Sequence, residues 1–261
     1  MNKNWSLGVG AAAGALAMYE RRERARAERL SAATLETLLD AIETNDESTG
    51  AHMRRVACYA EILCRAADLD EHTCRNIERV ALFHDIGKLH EAIADIFRDQ
   101  TKLTPEERRA VRTHPMRGAK VLEPISLFFP DLGKGVASHH ERWDGTGYPR
   151  GLKGKRITIS ARVVAIADTF DAITHRRPYS AARSFKEATR AIQEGRGTQF
   201  DPELVDIFLS PPVLKQVETA MREAHAPKSR QKNRRRGRQQ PASDIKFRWR
   251  ADRPPRRARG R

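Results

Sequence analysis

Residues 77–88 read IERVALFHDIGK. Ile77, Val80 and Ala81 recur at three- and four-residue intervals and predict one apolar face of a helix, which His84 continues. His84 and Asp85 follow one another at the end of that face, and Lys88 stands one helical turn beyond His84. Imidazole and carboxylate are ligands that divalent metals such as iron, manganese and zinc accept. The stretch therefore predicts a helix that ends in two candidate metal ligands.

The chain on either side also follows helical periodicity. An apolar stripe of four residues precedes it: Leu35, Leu38, Leu39 and Ile42. Thr104 and Ser184 are each followed three residues later by a glutamate, which is the capping-box signature of a helix start. Residues 157–168 are rich in β-branched side chains, but no second segment could pair with them, and a lone strand is unstable. We therefore predict an all-α bundle over residues 30–225.

The charge of the chain is unevenly distributed. Lys and Arg number 49 against 34 Asp and Glu, a net charge of +15. Residues 227–261 hold 15 of those basic side chains and only two acidic ones, so the rest of the chain is close to neutral. A segment so basic and so poor in apolar residues is typical of a disordered tail. Phe247 and Trp249 between its arginines suit contact with nucleic acid or an anionic membrane, and a solubilising extension is the alternative.

The N-terminal segment is apolar over residues 5–19, which is shorter than the roughly 20 residues that span a bilayer. Basic residues follow this run rather than precede it, which argues against a cleaved signal peptide. We expect a leader helix over residues 1–30, with a peripheral membrane anchor as the alternative, in a cytoplasmic protein. The three cysteines are too few and too loosely spaced for a disulfide framework and are expected to be free thiols: Cys58, Cys64 and Cys74.

Further candidate ligands lie outside the opening stretch. His139 and His140 form a second adjacent pair, and His114 stands just before Pro115, where a helix is broken. Asp168 lies at the polar end of an apolar run. Neighbouring residues on a helix point about 100° apart, which suits a cluster in which one carboxylate bridges two ions. No cysteine joins this set, which argues against a structural zinc site.

The motifs around these residues resemble those of a known family. HDIGK, residues 84–88, resembles the HD signature of metal-dependent phosphohydrolases, and HHERWDGTGYP, residues 139–149, resembles the second signature of the HD-GYP family. KLTPEE at residues 102–107 and RVVAIADTFDAITHRRPY at residues 162–179 extend the match over roughly residues 35–210. The resemblance implies an HD-type helical bundle around two or three metal ions, iron or manganese, and hydrolysis of cyclic di-GMP to the linear dinucleotide or on to GMP.

The resemblance also implies roles for single residues. The implied metal ligands are His84, Asp85, His114, His139, His140 and Asp168, with His52 as a further ligand in members with a third ion. The carboxylate that precedes such a histidine by one turn is Ser48 here, so we expect two ions, with Glu47 as an alternative ligand. Asp85 bridges the ions, and Lys88 neutralises phosphoryl charge or relays a proton to the leaving oxygen. The implied substrate contacts are Arg177, Gly147 and Tyr148. The basic residue that the family commonly has just after RPY is Ser180 here, and Arg183 is the candidate substitute for it.

Three functions remain open from the sequence. The first is an active cyclic di-GMP phosphodiesterase over residues 31–226, followed by the tail at 227–261. The second is a receptor or scaffold that binds the dinucleotide or docks diguanylate cyclase domains through the loop at residues 144–149, called the GYP loop below. The third is a hydrolase of another cyclic nucleotide, such as cyclic GMP-AMP. The sequence leaves the oligomeric state open.

Overall fold

The computed structural model describes residues 4–89, 104–175 and 183–224. In those ranges the chain is helical and has no β-strand, which confirms the predicted all-α class. The α-helices are α1 Asn4–Asn45, α2 Glu47–Ala66, α3 Glu71–Phe83, α4 Pro105–Val111, α5 His114–Val121, α6 Leu132–Ser138, α7 Ile159–Thr174, α8 Phe185–Glu194, α9 Pro202–Phe208 and α10 Pro211–Ala224. Short 3₁₀ turns occupy Ile86–Leu89, Glu123–Ile125 and Gly154–Arg156.

The described residues belong to two units, 4–41 and 42–224. The first is the greater part of α1, and the second holds α2 to α10. The domain boundary predicted after residue 30 falls inside α1, and the predicted tail at 227–261 lies outside the described residues, so this division stays a prediction. Among the helices of the described ranges, none has the length and apolar character needed to cross a bilayer.

The core of the second unit lies between α2, α3 and α7, which pack against one another in pairs. Its aromatic centre is the ring of Phe170, which Tyr59 meets edge-on at 5.1 Å and Phe208 at 5.6 Å. Apolar side chains of all three helices are fully buried around it: Val56, Ala60, Leu63, Ile77, Val80, Val163, Ile166 and Ala167. His52 lies on α2 and Asp168 on α7, and His84 directly follows α3, so a rigid apolar core fixes the backbone beneath those candidate ligands.

The helix starts follow the local chemistry of the sequence. Thr104 and Ser184 each form the predicted capping box, in which the hydroxyl accepts from the backbone N–H of a glutamate three residues on and that glutamate accepts from the cap N–H. Gly195 ends α8 as predicted. The β-branched segment at 157–168 lies mostly in α7, which confirms the helix over the strand.

Lys88 does not lie on the same α-helix as His84. Helix α3 ends at Phe83, and the chain continues as the 3₁₀ turn Ile86–Leu89. The reason is a close approach at Gly87, where an added Cβ would collide with the backbone of His114 and Gly118 on α5. The predicted one-turn spacing on a continuous helix is therefore wrong, because the chain forms a 3₁₀ turn that packs against α5 at Gly87.

Two of the three cysteines are not free thiols. Cys64 near the end of α2 and Cys74 in the first turn of α3 form a disulfide, with their Cα atoms 5.8 Å apart, and Cys58 alone is a free thiol. The prediction of three free thiols is wrong for this pair. That prediction rested on the number and spacing of the cysteines in the sequence, whereas disulfide formation depends on how the end of α2 packs against the start of α3.

Candidate metal centre

Five segments of the second unit bring the predicted ligands together. His52 lies on α2, His84 and Asp85 follow α3, His114 begins α5, His139 and His140 follow α6, and Asp168 lies on α7. The side-chain ligand atoms form two overlapping groups, each within 4.8 Å: Asp85, His114, His139 and His140, and His52, His84 and Asp85. Asp85 belongs to both groups.

Each carboxylate oxygen of Asp85 faces a different group of histidines. Its Oδ1 lies 3.4 Å from His114 Nε2 and 3.8 Å from His139 Nε2. Its Oδ2 lies 3.4 Å from His84 Nε2 and 4.0 Å from His52 Nε2. A carboxylate placed in this way can contribute one oxygen to each of two ions.

Asp168 joins the second group. Its Oδ1 lies 3.4 Å from His52 Nε2 and 3.9 Å from His84 Nε2. Its side chain is 22% exposed, against 7% for Asp85, so the two carboxylates differ in their access to solvent. The cluster therefore has a buried side at Asp85 and a more open side at Asp168.

The orientation of three imidazoles is set by their own backbone. The Nδ1 atoms of His84, His114 and His139 each lie 2.6–2.7 Å from a carbonyl oxygen three residues earlier, on Ala81, Val111 and Val136 respectively. Because a carbonyl only accepts, each Nδ1 must carry the hydrogen. The Nε2 atoms are then lone-pair acceptors directed at the cluster, which is the tautomer that binds a metal.

Several buried polar atoms of the cluster have no hydrogen-bond partner in the described residues, which is what a binding site for divalent ions would show. His52 Nε2, His84 Nε2 and Asp85 Oδ1 are buried and have no hydrogen-bond partner among the described residues. Leaving such atoms without a partner is costly. In addition, His114 Nε2 and His139 Nε2 face each other at 3.1 Å, and two lone pairs at that distance repel unless a cation lies between them. Imidazole and carboxylate donors of this kind are compatible with a divalent metal site.

The protonation states favour metal binding on the buried side. Burial, with a contribution from His139, lowers the pKa of His140 to about 2. Burial and the nearby His84 hold the pKa of His139 well below its usual value. Burial opposes ionisation of Asp85, but Lys88 and His84 outweigh it and lower its pKa. These two histidines are therefore neutral and Asp85 is charged near neutral pH, as ligands must be.

Sequence reasoning missed Asp171, which supports His52 from behind. This carboxylate on α7 is 1% exposed and accepts a hydrogen bond from His52 Nδ1 at 2.7 Å. Arg55 donates two further bonds to it, at 2.7 and 3.0 Å, and His175 Nδ1 lies 3.0 Å away. Asp171 stands three residues after Asp168, as Arg55 does after His52, so a shared helical face was the available signal.

The GYP loop closes the His140 side of the cluster. The Tyr148 ring stacks on the His140 imidazole, with centroids 4.9 Å apart and an interplanar angle of 28°. Gly147 has no space for a side chain, because an added Cβ would meet the backbone of residues 140–142. Buried Glu141 braces the loop by accepting from the backbone N–H groups of Arg150 and Leu152. Tyr148 is thus held against a candidate ligand.

Two predicted substrate contacts remain, Arg177 and Arg183. Arg177 lies outside the described residues. Arg183 is exposed, and its backbone N–H donates to the carbonyl of Ile173 at 2.9 Å. Lys88 does reach the cluster, because its Nζ lies 2.5 Å from Asp85 Oδ2 and its side chain is 27% exposed.

Sequence comparisons identify a family and several relatives of this chain. A family model described as HD domain matches residues 36–204. The chain is 39% identical over 178 residues to a cyclic di-GMP phosphodiesterase response regulator from Xanthomonas campestris, covering 67% of this chain and 47% of that protein. It is 36% identical over 174 residues to a 3′3′-cGAMP-specific phosphodiesterase from Vibrio cholerae, covering 66% of this chain and 33% of that protein. The chain thus spans about half the length of the first relative and a third of the second.

A solved structure shares the fold. An HDG"Y"P protein from Bdellovibrio bacteriovorus superposes with a TM-score of 0.52 at 21% identity, covering 68% of this chain and 56% of that one. At this identity the likeness concerns the fold, and it confirms the predicted HD-type bundle. Together with the family match and the two signatures at residues 84–88 and 139–149, it leads to one conclusion: the chain belongs to the HD-domain family, in its HD-GYP branch.

Proposed function

We propose that this chain is a metal-dependent phosphodiesterase that hydrolyses cyclic di-GMP to the linear dinucleotide and, in a second cleavage, to GMP. The observation that carries the proposal is the position of Asp85, whose two oxygens face two separate groups of buried histidines. The relative from Xanthomonas campestris supports cyclic di-GMP as the substrate. Because the chain spans only part of that relative, the activity of the whole protein rests on the same proposal.

The cluster would hold two ions, which we propose to be iron or manganese. Asp85 Oδ1, His114, His139 and His140 would hold one, and Asp85 Oδ2, His84 and Asp168 the other, with His52 as a further ligand. When bound, such ions supply Lewis acidity, which favours deprotonation of water and neutralises charge on phosphoryl oxygens. A third ion at His52 is the alternative, but Ser48 offers no carboxylate there.

Lys88 is the proposed acid of the site. Its ammonium lies beside Asp85 Oδ2, on the same side as His84 and Asp168. From there it can neutralise charge that develops on the phosphate or donate a proton to the leaving 3′-oxygen. The ion pair with Asp85 Oδ2 holds the Lys88 ammonium in this position, so Lys88 depends on Asp85 for its placement.

The remaining contacts proposed from the sequence concern substrate and partners. Gly147 and Tyr148 would line the substrate site beside His140, and Arg177 and Arg183 would bind phosphate. The GYP loop would contact a diguanylate cyclase domain, and the tail at 227–261 nucleic acid or an anionic membrane. A cytoplasmic location, with the segment at 5–19 as a peripheral anchor, also remains a proposal.

A second candidate substrate is 3′3′-cGAMP. The relative from Vibrio cholerae, which is specific for that dinucleotide, matches this chain nearly as well as the first relative does. The two substrates differ in one base, so the same ions and the same Lys88 would serve both. The choice between them depends on residues that contact the bases.

Product chromatography tests the proposal. The purified chain, loaded with Mn²⁺ or Fe²⁺, is incubated with cyclic di-GMP and in parallel with 3′3′-cGAMP. We expect linear products from the wild type and at least about a hundredfold loss in Asp85→Ala. Asp131→Ala is the matched control, because Asp131 is an exposed aspartate paired with Lys134, and it should retain the activity. A metal-loaded wild type that binds cyclic di-GMP and leaves it intact would refute the proposal.

A further inference from the structure

A row of arginines lines one face of α4. Arg112 lies three residues after Arg109 and four after Arg108, and its backbone N–H still bonds to the carbonyl of Arg108. Positions at these spacings share a helix face. The three arginines, with Pro105 and Val111, line an open cavity of about 490 Å³. We call this cavity the arginine pocket.

The arginine pocket adjoins the candidate metal centre. Arg112 stands two residues before His114 in the chain. Its guanidinium lies 4.9 Å from the centroid of the Tyr148 ring. The same ring stacks on the His140 imidazole. An unbroken series of planar groups therefore runs from the cluster, through Tyr148, to the pocket.

The helix dipole favours Arg108 and Arg109 in the last turn of α4, but it does not require a third arginine at position 112. Like charges at four-residue spacing, as at Arg108 and Arg112, destabilise a helix. Of the acidic residues in the first turn, Glu107 is engaged in the capping box with Thr104. No carboxylate of the described ranges forms an ion pair with Arg109 or Arg112. Within the described ranges, Arg109 and Arg112 therefore give the pocket a cationic side that suits an anion.

We propose that the arginine pocket binds the distal nucleotide of the substrate, the half whose phosphodiester is not being cleaved. This inference rests on the proposed function, which places a cyclic dinucleotide at the cluster. A guanidinium binds phosphate oxygens, or the O6 and N7 atoms of guanine, through two parallel hydrogen bonds. The exposed Arg112 guanidinium, which lies over the Tyr148 ring, also offers a flat surface on which a purine can stack.

The test compares a large and a small phosphodiester on the metal-loaded full chain. Bis(p-nitrophenyl) phosphate needs only the cluster, whereas cyclic di-GMP extends beyond it. For Arg112→Ala and, one turn further away, Arg109→Ala, we expect KM for cyclic di-GMP to rise about tenfold or more. The loss in kcat/KM should be at least about tenfold larger for the dinucleotide than for the small ester. Arg112→Lys, which keeps the charge and loses the planar fork, should fall between the wild type and Arg112→Ala.

The control is Arg190→Ala, which removes an exposed arginine paired with Glu194 on α8 and should leave both substrates unaffected. If the wild type cleaves cyclic di-GMP and neither alanine variant raises KM, the arginine pocket inference alone is wrong. Equal losses for both substrates overturn it as well, because they would indicate a disturbed cluster. If the wild type cleaves the small ester and no dinucleotide, the proposed function fails and the inference with it.

Discussion

Asp171 supports the candidate ligand His52 and is not itself a member of the candidate metal cluster. Burial opposes its ionisation, but hydrogen bonds from His175, His52 and Arg55 outweigh burial and hold its pKa well below the usual value. The resulting carboxylate accepts the hydrogen of His52 Nδ1, so Nε2 is left as an acceptor toward Asp85 and Asp168. Partners of this kind fix the tautomer and raise the basicity of a ligand.

Replacing Asp171 should weaken metal binding. In Asp171→Asn the side chain keeps its shape but loses its charge and one acceptor oxygen. We expect Mn²⁺ affinity to fall about ten- to a hundredfold, measured by competition with a fluorescent chelator. The variant is also expected to be less stable, because Arg55 is left without its counter-ion, so the titration is done well below its melting temperature. Unchanged affinity together with lower stability would mean that Asp171 is purely structural.

Glu78 offers a test of electrostatics away from the cluster. Burial, reinforced by Glu61, raises its pKa to about 7 from an ordinary value of 4.5. Because the folded state favours the protonated form, the free energy of unfolding should fall as the pH rises from about 4.5 to 7. Glu78→Gln, which cannot ionise, should flatten that part of the profile in urea unfolding at a series of pH values. If the free energy of unfolding of Glu78→Gln fell with pH as steeply as that of the wild type, the raised pKa of Glu78 would be contradicted.

At the scale of elements, the sequence predicts what is local and misses what depends on packing. The capping boxes at Thr104 and Ser184 and the adjacent His84 and Asp85 involve neighbours in the chain, so their pattern is visible in the sequence. The disulfide of Cys64 with Cys74 depends on the approach of α2 and α3. The contact of Arg112 with Tyr148 depends likewise on the placing of α4 against the GYP loop, which no spacing in the chain encodes.

The disulfide between α2 and α3 should stabilise the fold. It closes a loop over a sequence separation of 10 residues, for which chain entropy predicts a contribution of about 3 kcal/mol. We therefore expect the oxidised wild type to unfold at a higher urea concentration than Cys74→Ser. Cys58→Ser is the matched control, because Cys58 is outside the disulfide, and it should unfold at the same urea concentration as the wild type. Three titratable thiols in the native protein under non-reducing conditions would show that the bond does not form.

At the scale of the whole molecule, the net charge of +15 does not describe the candidate site. The basic excess lies almost entirely at residues 227–261, and the remainder of the chain is nearly neutral. In the proposed function, the anionic substrate would instead be bound by local groups: the candidate ions, Lys88 and the arginine pocket. Adjacency in the chain pointed to His84 with Asp85 and to His139 with His140, whereas His52 followed only from the family resemblance. The packing of α2, α3 and α7 explains why His52, Asp85 and Asp168 meet.

The metal content of the purified chain tests the central claim most directly. Apo protein is loaded with Mn²⁺, freed of excess metal by gel filtration and analysed by mass spectrometry of the bound metal. We predict two ions per chain for the wild type and for Asp131→Ala, and fewer than one for Asp85→Ala, because Asp85 contributes to both groups of ligands. A wild type that retains one ion or none, or an Asp85→Ala variant that retains two, would contradict the account.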